Sequence, residues 1–100
     1  MTSSKVYEDD RILAFKDINP QTPVHILIIP KQHICGVNGL DEDTAPLMGD
    51  IMLTAKRLAE EFHLDNGYRI ITNIGDDGGQ TVKHLHFHLL GGVKMAEKMV

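Results

Sequence analysis

The sequence has no tryptophan, few aromatic residues (5%) and a single cysteine, Cys35. One cysteine cannot form an internal disulfide, so the chain fits a reducing compartment. No apolar run reaches the roughly 18 residues that a membrane-spanning helix needs, and the N-terminal residues are polar. We therefore expect a cytoplasmic protein with neither a signal peptide nor a membrane span.

Basic residues are also scarce: 10 Lys and Arg stand against 14 Asp and Glu, which gives a formal net charge of −4. A general nucleic-acid-binding surface needs a basic face, so the composition argues against that class, although local groups can still hold a single nucleotide. The 100 residues, 42% of them hydrophobic, predict one domain over residues 1–100. A domain of this size is only marginally stable alone, and dimerisation would help.

Hydrophobic periodicity predicts one helix among several strands. From about Asp43 to Phe62 the apolar positions recur at intervals of three and four, which is typical of an amphipathic helix. Shorter apolar stretches predict strands at Val6–Glu8, Arg11–Lys16, Val24–Ile29 and Tyr68–Ile74. This order predicts an α+β fold, an antiparallel β-sheet meander with one long helix packed on it.

The most informative feature is three histidines at every second position, His84, His86 and His88. The positions between them are apolar: Leu85, Phe87 and Leu89. On a β-strand, one face would then carry only imidazoles while the other packs into the core. Three interpretations are open: a polar outer face, a metal site and a catalytic site. Because histidines two apart on a strand lie about 6.5 to 7 Å from each other, the outer pair is too far apart to share one ion.

A glycine-rich polar loop, residues 73–81, precedes these histidines. It lacks the spacing and the lysine of a P-loop, and it is open to interpretation as a phosphate cradle or as a hairpin turn. A neutral imidazole can attack phosphorus to give a covalent phosphohistidine, which splits one hard displacement into two easier ones. Gln80, Thr81, backbone amides and another histidine would stabilise the charge on the phosphoryl oxygens, and this scheme needs no metal.

Two stretches resemble the signatures of the histidine triad family. Residues Gly79–Gly92 are similar to the signature with three alternating histidines, and residues Asp17–His33 are similar to the other signature. Within the family, the chain looks most like the histidine triad nucleotide-binding proteins, which are purine nucleoside phosphoramidases. The fragile-histidine-triad branch, which splits dinucleoside polyphosphates, ranks second. The resemblance implies a fold of the same α+β kind, with two protomers forming one continuous sheet as a homodimer.

The resemblance also implies roles for the histidines. His86 would attack the α-phosphorus and form a nucleotidyl-histidine, which water then hydrolyses. His88 would donate to a phosphate oxygen. His84 and His25 would lie behind His86, orient it and relay a proton to the leaving amine.

For the nucleotide, the resemblance implies a set of binding residues: Asp17, Ile18, Asn73, Gly79, Gln80, Thr81 and His88. Asp17 would accept from the ribose hydroxyls, Ile18 would line the base pocket, and Asn73 would hold the sugar-phosphate region. The implied function is hydrolysis of nucleoside 5′-phosphoramidates, with AMP or GMP as the nucleotide. The alternatives are a dinucleoside polyphosphate hydrolase and a purine nucleotide-binding protein without catalysis.

Three departures from the family pattern bear on specificity. Thr81 stands where the closest relatives usually carry serine, and the C-terminal residues 93–100 replace a tail that contains tryptophan and proline. The start of the chain lacks the C-x-x-C pair that many bacterial members use for zinc. Because only His33 and His84 are left as candidate ligands, we expect no structural zinc and no required cofactor. Leaving-group specificity is the property that these departures put in question.

Overall fold

A five-stranded sheet and one long helix make up the part of the chain, residues 4–98, that the computed structural model describes. The strands are β1 (Lys5–Glu8), β2 (Ile12–Lys16), β3 (Val24–Pro30), β4 (Tyr68–Ile71) and β5 (Phe87–Gly91). A 3-10 turn (Val37–Gly39) and the helix α1 (Ala45–Glu61) lie between β3 and β4. The predicted α+β fold is confirmed. The predicted boundaries of the first three strands and of the helix differ from these by one or two residues.

The strand order is β1-β2-β3-β5-β4, and all neighbouring strands are antiparallel. The sheet is therefore not a simple meander, because β5 inserts between β3 and β4. The long connection through α1 carries the chain across the sheet and leaves room for the last strand. This insertion makes β5 a central strand and leaves β1 and β4 as the edges.

The helix covers one face of the sheet and forms the core with it. Leu47, Ile51, Ala55 and Leu58 of α1 belong to the same buried cluster as strand residues such as Ile28. Fully burying an aliphatic side chain of this size contributes roughly 1.5 to 3 kcal/mol. No helix of the described residues is long and apolar enough to cross a membrane.

The other face of the sheet carries half-buried side chains. The register pairs Phe15 with Leu27, Leu27 with His88, and His88 with Ile71, so these four residues form a row across the sheet. Each of them is partly exposed, whereas their neighbours on the helix side are buried. This second face, rather than the core, supports the functional residues.

The predicted strand through all three histidines is wrong for the first two. Strand β5 begins at Phe87, so His84 and His86 lie in an irregular segment before it. The predicted strand Tyr68–Ile74 likewise ends at Ile71. The pairing of β4 with β5 therefore stops at Ile71 and His88. The alternation of burial is nevertheless as expected: all three histidines are half-buried, and the apolar residues between and after them are buried.

The predictions about the two ends of the chain fall partly outside the described residues. Residues 1–3 at the start, and residues 99–100 of the C-terminal tail that differs from the family pattern, are not among those described.

Candidate active site

A cavity of about 520 Å³ lies over the open face of the sheet. Its lining combines the three alternating histidines with other polar and apolar side chains: Phe15, Asp17, Asn19, Leu27, Ile29, Thr81, Val82, His84, His86 and His88. The volume is in the range of sites that hold small organic ligands, roughly 300 to 1,000 Å³. Strand β3 contributes Leu27 and Ile29 because alternate residues of a strand share a face.

His86 is held by a backbone carbonyl. Its Nδ1 lies 2.7 Å from the carbonyl oxygen of His84, and a carbonyl can only accept a hydrogen bond. The Nδ1–H of His86 therefore donates, and in the neutral ring Nε2 keeps its lone pair. His86 thus presents the form of imidazole that acts as a nucleophile or a base.

A second chain of hydrogen bonds fixes His25 and His88. The backbone N–H of Gln21 donates to His25 Nδ1 at 3.0 Å, so in the neutral ring the proton of His25 is on Nε2. His25 Nε2 is 2.9 Å from His88 Nδ1 and donates to it. In a neutral His88 the proton is then on Nε2, and His88 becomes a hydrogen-bond donor at the cavity.

Burial and the neighbouring imidazoles favour the neutral form of His88. Its pKa is lowered from the usual value of 6.5 chiefly because burial penalises the charged ring, and the neighbouring His86 and His25 lower it further. Asp17 acts in the opposite direction. A lowered pKa means that at neutral pH His88 donates through a neutral imidazole.

The resemblance implied that His84 and His25 orient His86 and relay a proton; the His84 carbonyl does hold the His86 ring, and the proton relay stays a prediction. The ring of His84 is held by other groups: its Nε2 donates to the carbonyl of Pro30 at 2.9 Å, and its Nδ1 is 3.2 Å from His33 Nδ1. His84 orients His86 through its backbone oxygen, not through its ring. The His25 ring contacts the backbone N–H of Gln21 and the side chains of His88 and Asp17. Among the described residues, His25 is therefore linked to His86 through His88.

Gln80 holds the glycine-rich loop instead of facing the cavity. It is buried, and its Nε2 donates to the carbonyls of Cys35 (2.6 Å) and Val82 (3.1 Å), while its Oε1 accepts from the N–H of Gly75 (3.1 Å). Both amide protons are already donated within the protein. This corrects the prediction that the Gln80 side chain donates to a phosphate.

The remaining predicted binding residues divide into two groups. Asp17 and Thr81 line the cavity, and Asp17 Oδ1 also accepts the backbone N–H of Asn19 at 2.8 Å. Ile18 is 63% exposed and, like Asn73 and Gly79, is not among the residues that line the cavity, so their contacts with a nucleotide stay predictions. Gly79 instead supplies a positive φ of 80° in the loop before Gln80 and Thr81.

Sequence reasoning missed several lining residues: Phe15, Asn19, Leu27, Ile29 and Val82. Alternation along β3 was a usable signal for two of them, because Leu27 and Ile29 share the face of His25. The others depend on which strands are neighbours, and a single sequence does not give that information.

Comparisons with known proteins agree on one family. The family model of the HIT domain matches residues 1–95. An uncharacterised HIT-like protein from Synechococcus elongatus is 52% identical over 91 residues, which cover 91% of this chain and 80% of the relative. A 14 kDa zinc-binding protein from Brassica juncea is 47% identical over 95 residues, covering 93% and 84% of the two chains.

Solved structures show the same fold. A HIT family hydrolase from Clostridium thermocellum is 50% identical with a TM-score of 0.97, and the match covers 100% of this chain and 88% of that one. A histidine triad nucleotide-binding protein from Candida albicans is 31% identical with a TM-score of 0.79, covering 100% and 79%.

The name of the Brassica relative raises the question of a zinc site. A structural zinc site is normally closed by four ligands. Within residues 4–98, the one group of three candidate ligands close enough for a shared ion is Asp17, His25 and His88, and the facing nitrogens of the two histidines already hydrogen-bond each other. His33 and His84 supply two further nitrogens without a third ligand beside them. The described residues do not form a closed zinc site.

Proposed function

The chain belongs to the HIT domain family, and from this premise we propose that it hydrolyses nucleoside 5′-phosphoramidates through a nucleotidyl group carried on His86. Its fold is that of the HIT family hydrolases and histidine triad nucleotide-binding proteins. The observation that carries the proposal is the hydrogen bond from His86 Nδ1 to the His84 carbonyl, because it leaves Nε2 as the free nucleophile beside the cavity.

In the first step, His86 Nε2 attacks the α-phosphorus, the nitrogen–phosphorus bond of the substrate breaks, and the amine leaves after taking up one proton from solvent. His88 Nε2–H and the Thr81 hydroxyl are donors on the cavity wall for the phosphoryl oxygens and the leaving group. In the second step, water attacks the same phosphorus and returns one proton to solvent, the bond to His86 breaks, and the nucleoside monophosphate is released. Two displacements with a covalent intermediate replace one difficult displacement.

The nucleoside would lie against the apolar wall of the cavity. Phe15, Leu27 and Ile29 offer a surface for a purine base, and Asp17 offers a carboxylate for the ribose hydroxyls. The Asp17 side chain is only 18% exposed, so a hydrogen bond to it is well shielded from water. This arrangement supports AMP or GMP as the bound nucleotide.

Charge favours a phosphoramidate over a dinucleoside polyphosphate. The cavity lining contains no lysine or arginine, and its one carboxylate, Asp17, is negative. Polyphosphate chains carry several negative charges, and proteins usually neutralise them with lysine, arginine or a metal ion. A phosphoramidate monoester carries a single charge on its phosphoryl group, which histidines and a hydroxyl can hold.

The homodimer is also part of this proposal. The edges of the sheet are β1 and β4, so a continuous sheet across two protomers would form at one of them. Edge strand β4 begins at Tyr68, a large side chain that is 41% exposed in one protomer.

Intact mass spectrometry during turnover of an adenosine phosphoramidate tests the proposal. Wild-type protein quenched rapidly at neutral pH should gain the mass of one AMP group, and His86→Ala should show neither this adduct nor turnover, a loss of at least about a thousandfold. His63→Asn serves as the matched control, because His63 lies at the end of α1 outside the cavity and takes a positive φ of 59°, which asparagine tolerates.

AMP release by the variant and by the wild type decides between the candidate functions. AMP release by His86→Ala at the wild-type rate would contradict the nucleophile assignment. If wild-type protein releases no AMP from the phosphoramidate, cleavage of a diadenosine polyphosphate and calorimetric binding of AMP distinguish the polyphosphate hydrolase from a non-catalytic binder.

A further inference from the structure

The backbone around His86, which lies just before β5, is hydrogen-bonded to residues of other segments. The segment before β5 is not in the sheet ladder, so its polar groups need other partners. The N–H of Leu85 donates to the carbonyl of Ile34 at 2.6 Å. The carbonyl of His86 accepts the hydroxyl of Thr72 at 2.8 Å.

Thr72 occupies the position that makes this contact possible. It follows Ile71, the last residue of β4, and Ile71 pairs with His88 at the end of the ladder between β4 and β5. If the register continued, Thr72 would lie opposite Phe87, and its hydroxyl reaches from there to the carbonyl of the preceding residue, His86. Valine or isoleucine would suit the end of a strand equally well. The hydroxyl is therefore the feature of Thr72 that requires an explanation.

We propose that Thr72 is a positioning residue for His86, and this inference rests on the proposed function. His86 is held by two hydrogen bonds. Its carbonyl accepts from the Thr72 hydroxyl, and its ring donates to the His84 carbonyl. Without the first, the peptide can rotate, and the ring and its Nε2 shift against the phosphorus. A displacement of about 1 Å at a reacting atom can cost up to about a hundredfold in rate.

The test compares Thr72→Val with a matched control, Thr54→Val. Thr54 Oγ1 donates to the carbonyl of Asp50 at 2.8 Å, a hydrogen bond of the same type and length, but it lies on α1 away from the cavity. We expect Thr72→Val to lower kcat about tenfold with KM changed less than about twofold, because the loss falls on the transition state. Thr54→Val should leave both constants unchanged.

Two further variants isolate the hydroxyl. Thr72→Ser keeps it and should recover most of kcat, whereas Thr72→Ala removes it without adding bulk and should show the same loss as Thr72→Val. The second hydroxyl-free variant also decides the question if Thr72→Val does not fold. Equal kcat in wild type and both hydroxyl-free variants would overturn the proposal, as would an equal loss of kcat in Thr54→Val.

Nitrogen-15 NMR of the imidazole rings gives a readout that does not depend on turnover. In wild type and in Thr54→Val, the ring of His86 should show the single Nδ1–H tautomer that its bond to the His84 carbonyl requires. In Thr72→Val the shifts should move toward an average of both tautomers, because the ring loses its fixed distance to that carbonyl. If wild type turns over no phosphoramidate, the proposed function fails, while this spectrum still decides the role of Thr72. An unchanged spectrum would then overturn it.

Discussion

The two histidines that flank His86 in the sequence, His84 and His88, each form a pair of imidazole rings with a histidine of an earlier segment. In the first pair, His25 Nε2 and His88 Nδ1 are 2.9 Å apart, and in the second, the Nδ1 atoms of His33 and His84 are 3.2 Å apart. Their ring centroids are separated by 5.1 and 5.2 Å. The pairs differ in burial, because His25 is buried and His33 is exposed.

The pairs also differ in the backbone group that anchors them. A backbone N–H, that of Gln21, sets the tautomer of the first pair, so the chain of hydrogen bonds ends in a donor, His88 Nε2–H, at the cavity. A backbone carbonyl, that of Pro30, accepts from the second pair, so His84 Nδ1 accepts from His33 and the chain ends in the free Nε2 of His33. The first pair therefore presents a hydrogen-bond donor, His88 Nε2–H, to the cavity. The second pair presents a hydrogen-bond acceptor, His33 Nε2, at the surface.

Within this comparison, the largest effect is expected from breaking the first pair. His25→Ala leaves His88 Nδ1 without its donor, so His88 no longer has a fixed proton on Nε2, and we expect kcat to fall by about a hundredfold. His25→Gln, whose amide N–H can still donate to His88, should recover part of the rate. Steady-state kinetics with an adenosine phosphoramidate measures both, and a kcat of His25→Ala equal to that of wild type would remove His88 as a fixed donor.

An intermediate effect is expected in the pH dependence of stability. Because the pKa of His88 is lowered in the folded protein, the unfolded chain binds this proton more readily. His88 therefore makes the free energy of unfolding decrease as the pH falls below about 6.5, until its folded-state pKa is passed. Urea denaturation between about pH 7.5 and pH 5 measures the slope. His88→Gln should flatten it, and the same slope in this variant and wild type would contradict the assignment.

The smallest effect is expected from breaking the second pair. His33 is exposed and is not among the residues lining the cavity, and the Pro30 carbonyl still holds His84 when His33 is replaced. We expect His33→Ala to keep kcat within about twofold and the free energy of unfolding within roughly 0.5 kcal/mol of wild type. A loss as large as that of His25→Ala would mean that the two pairs are functionally equivalent.

Sequence periodicity predicted much of the fold and of the site. The helix, the first three strands and the alternation of buried and half-buried residues around the three histidines follow from local patterns, because a strand exposes alternate side chains. Placing β5 between β3 and β4 was beyond this reasoning, since nothing local encodes which strands pair. The inward turn of Gln80 was also beyond it, because the three groups that satisfy its amide come from separate parts of the chain.

The sequence by itself determined which chemistry is present: alternating imidazoles opposite a buried apolar set, a glycine-rich loop before them, and a carboxylate and a histidine on an earlier stretch. The tertiary structure decided what each histidine does. The role of an imidazole depends on which nitrogen carries the proton, and here that depends on backbone groups brought from other elements, the Gln21 N–H and the Pro30 carbonyl. Alternation along a strand can place a ring on a face, but only contacts between distant segments fix its tautomer.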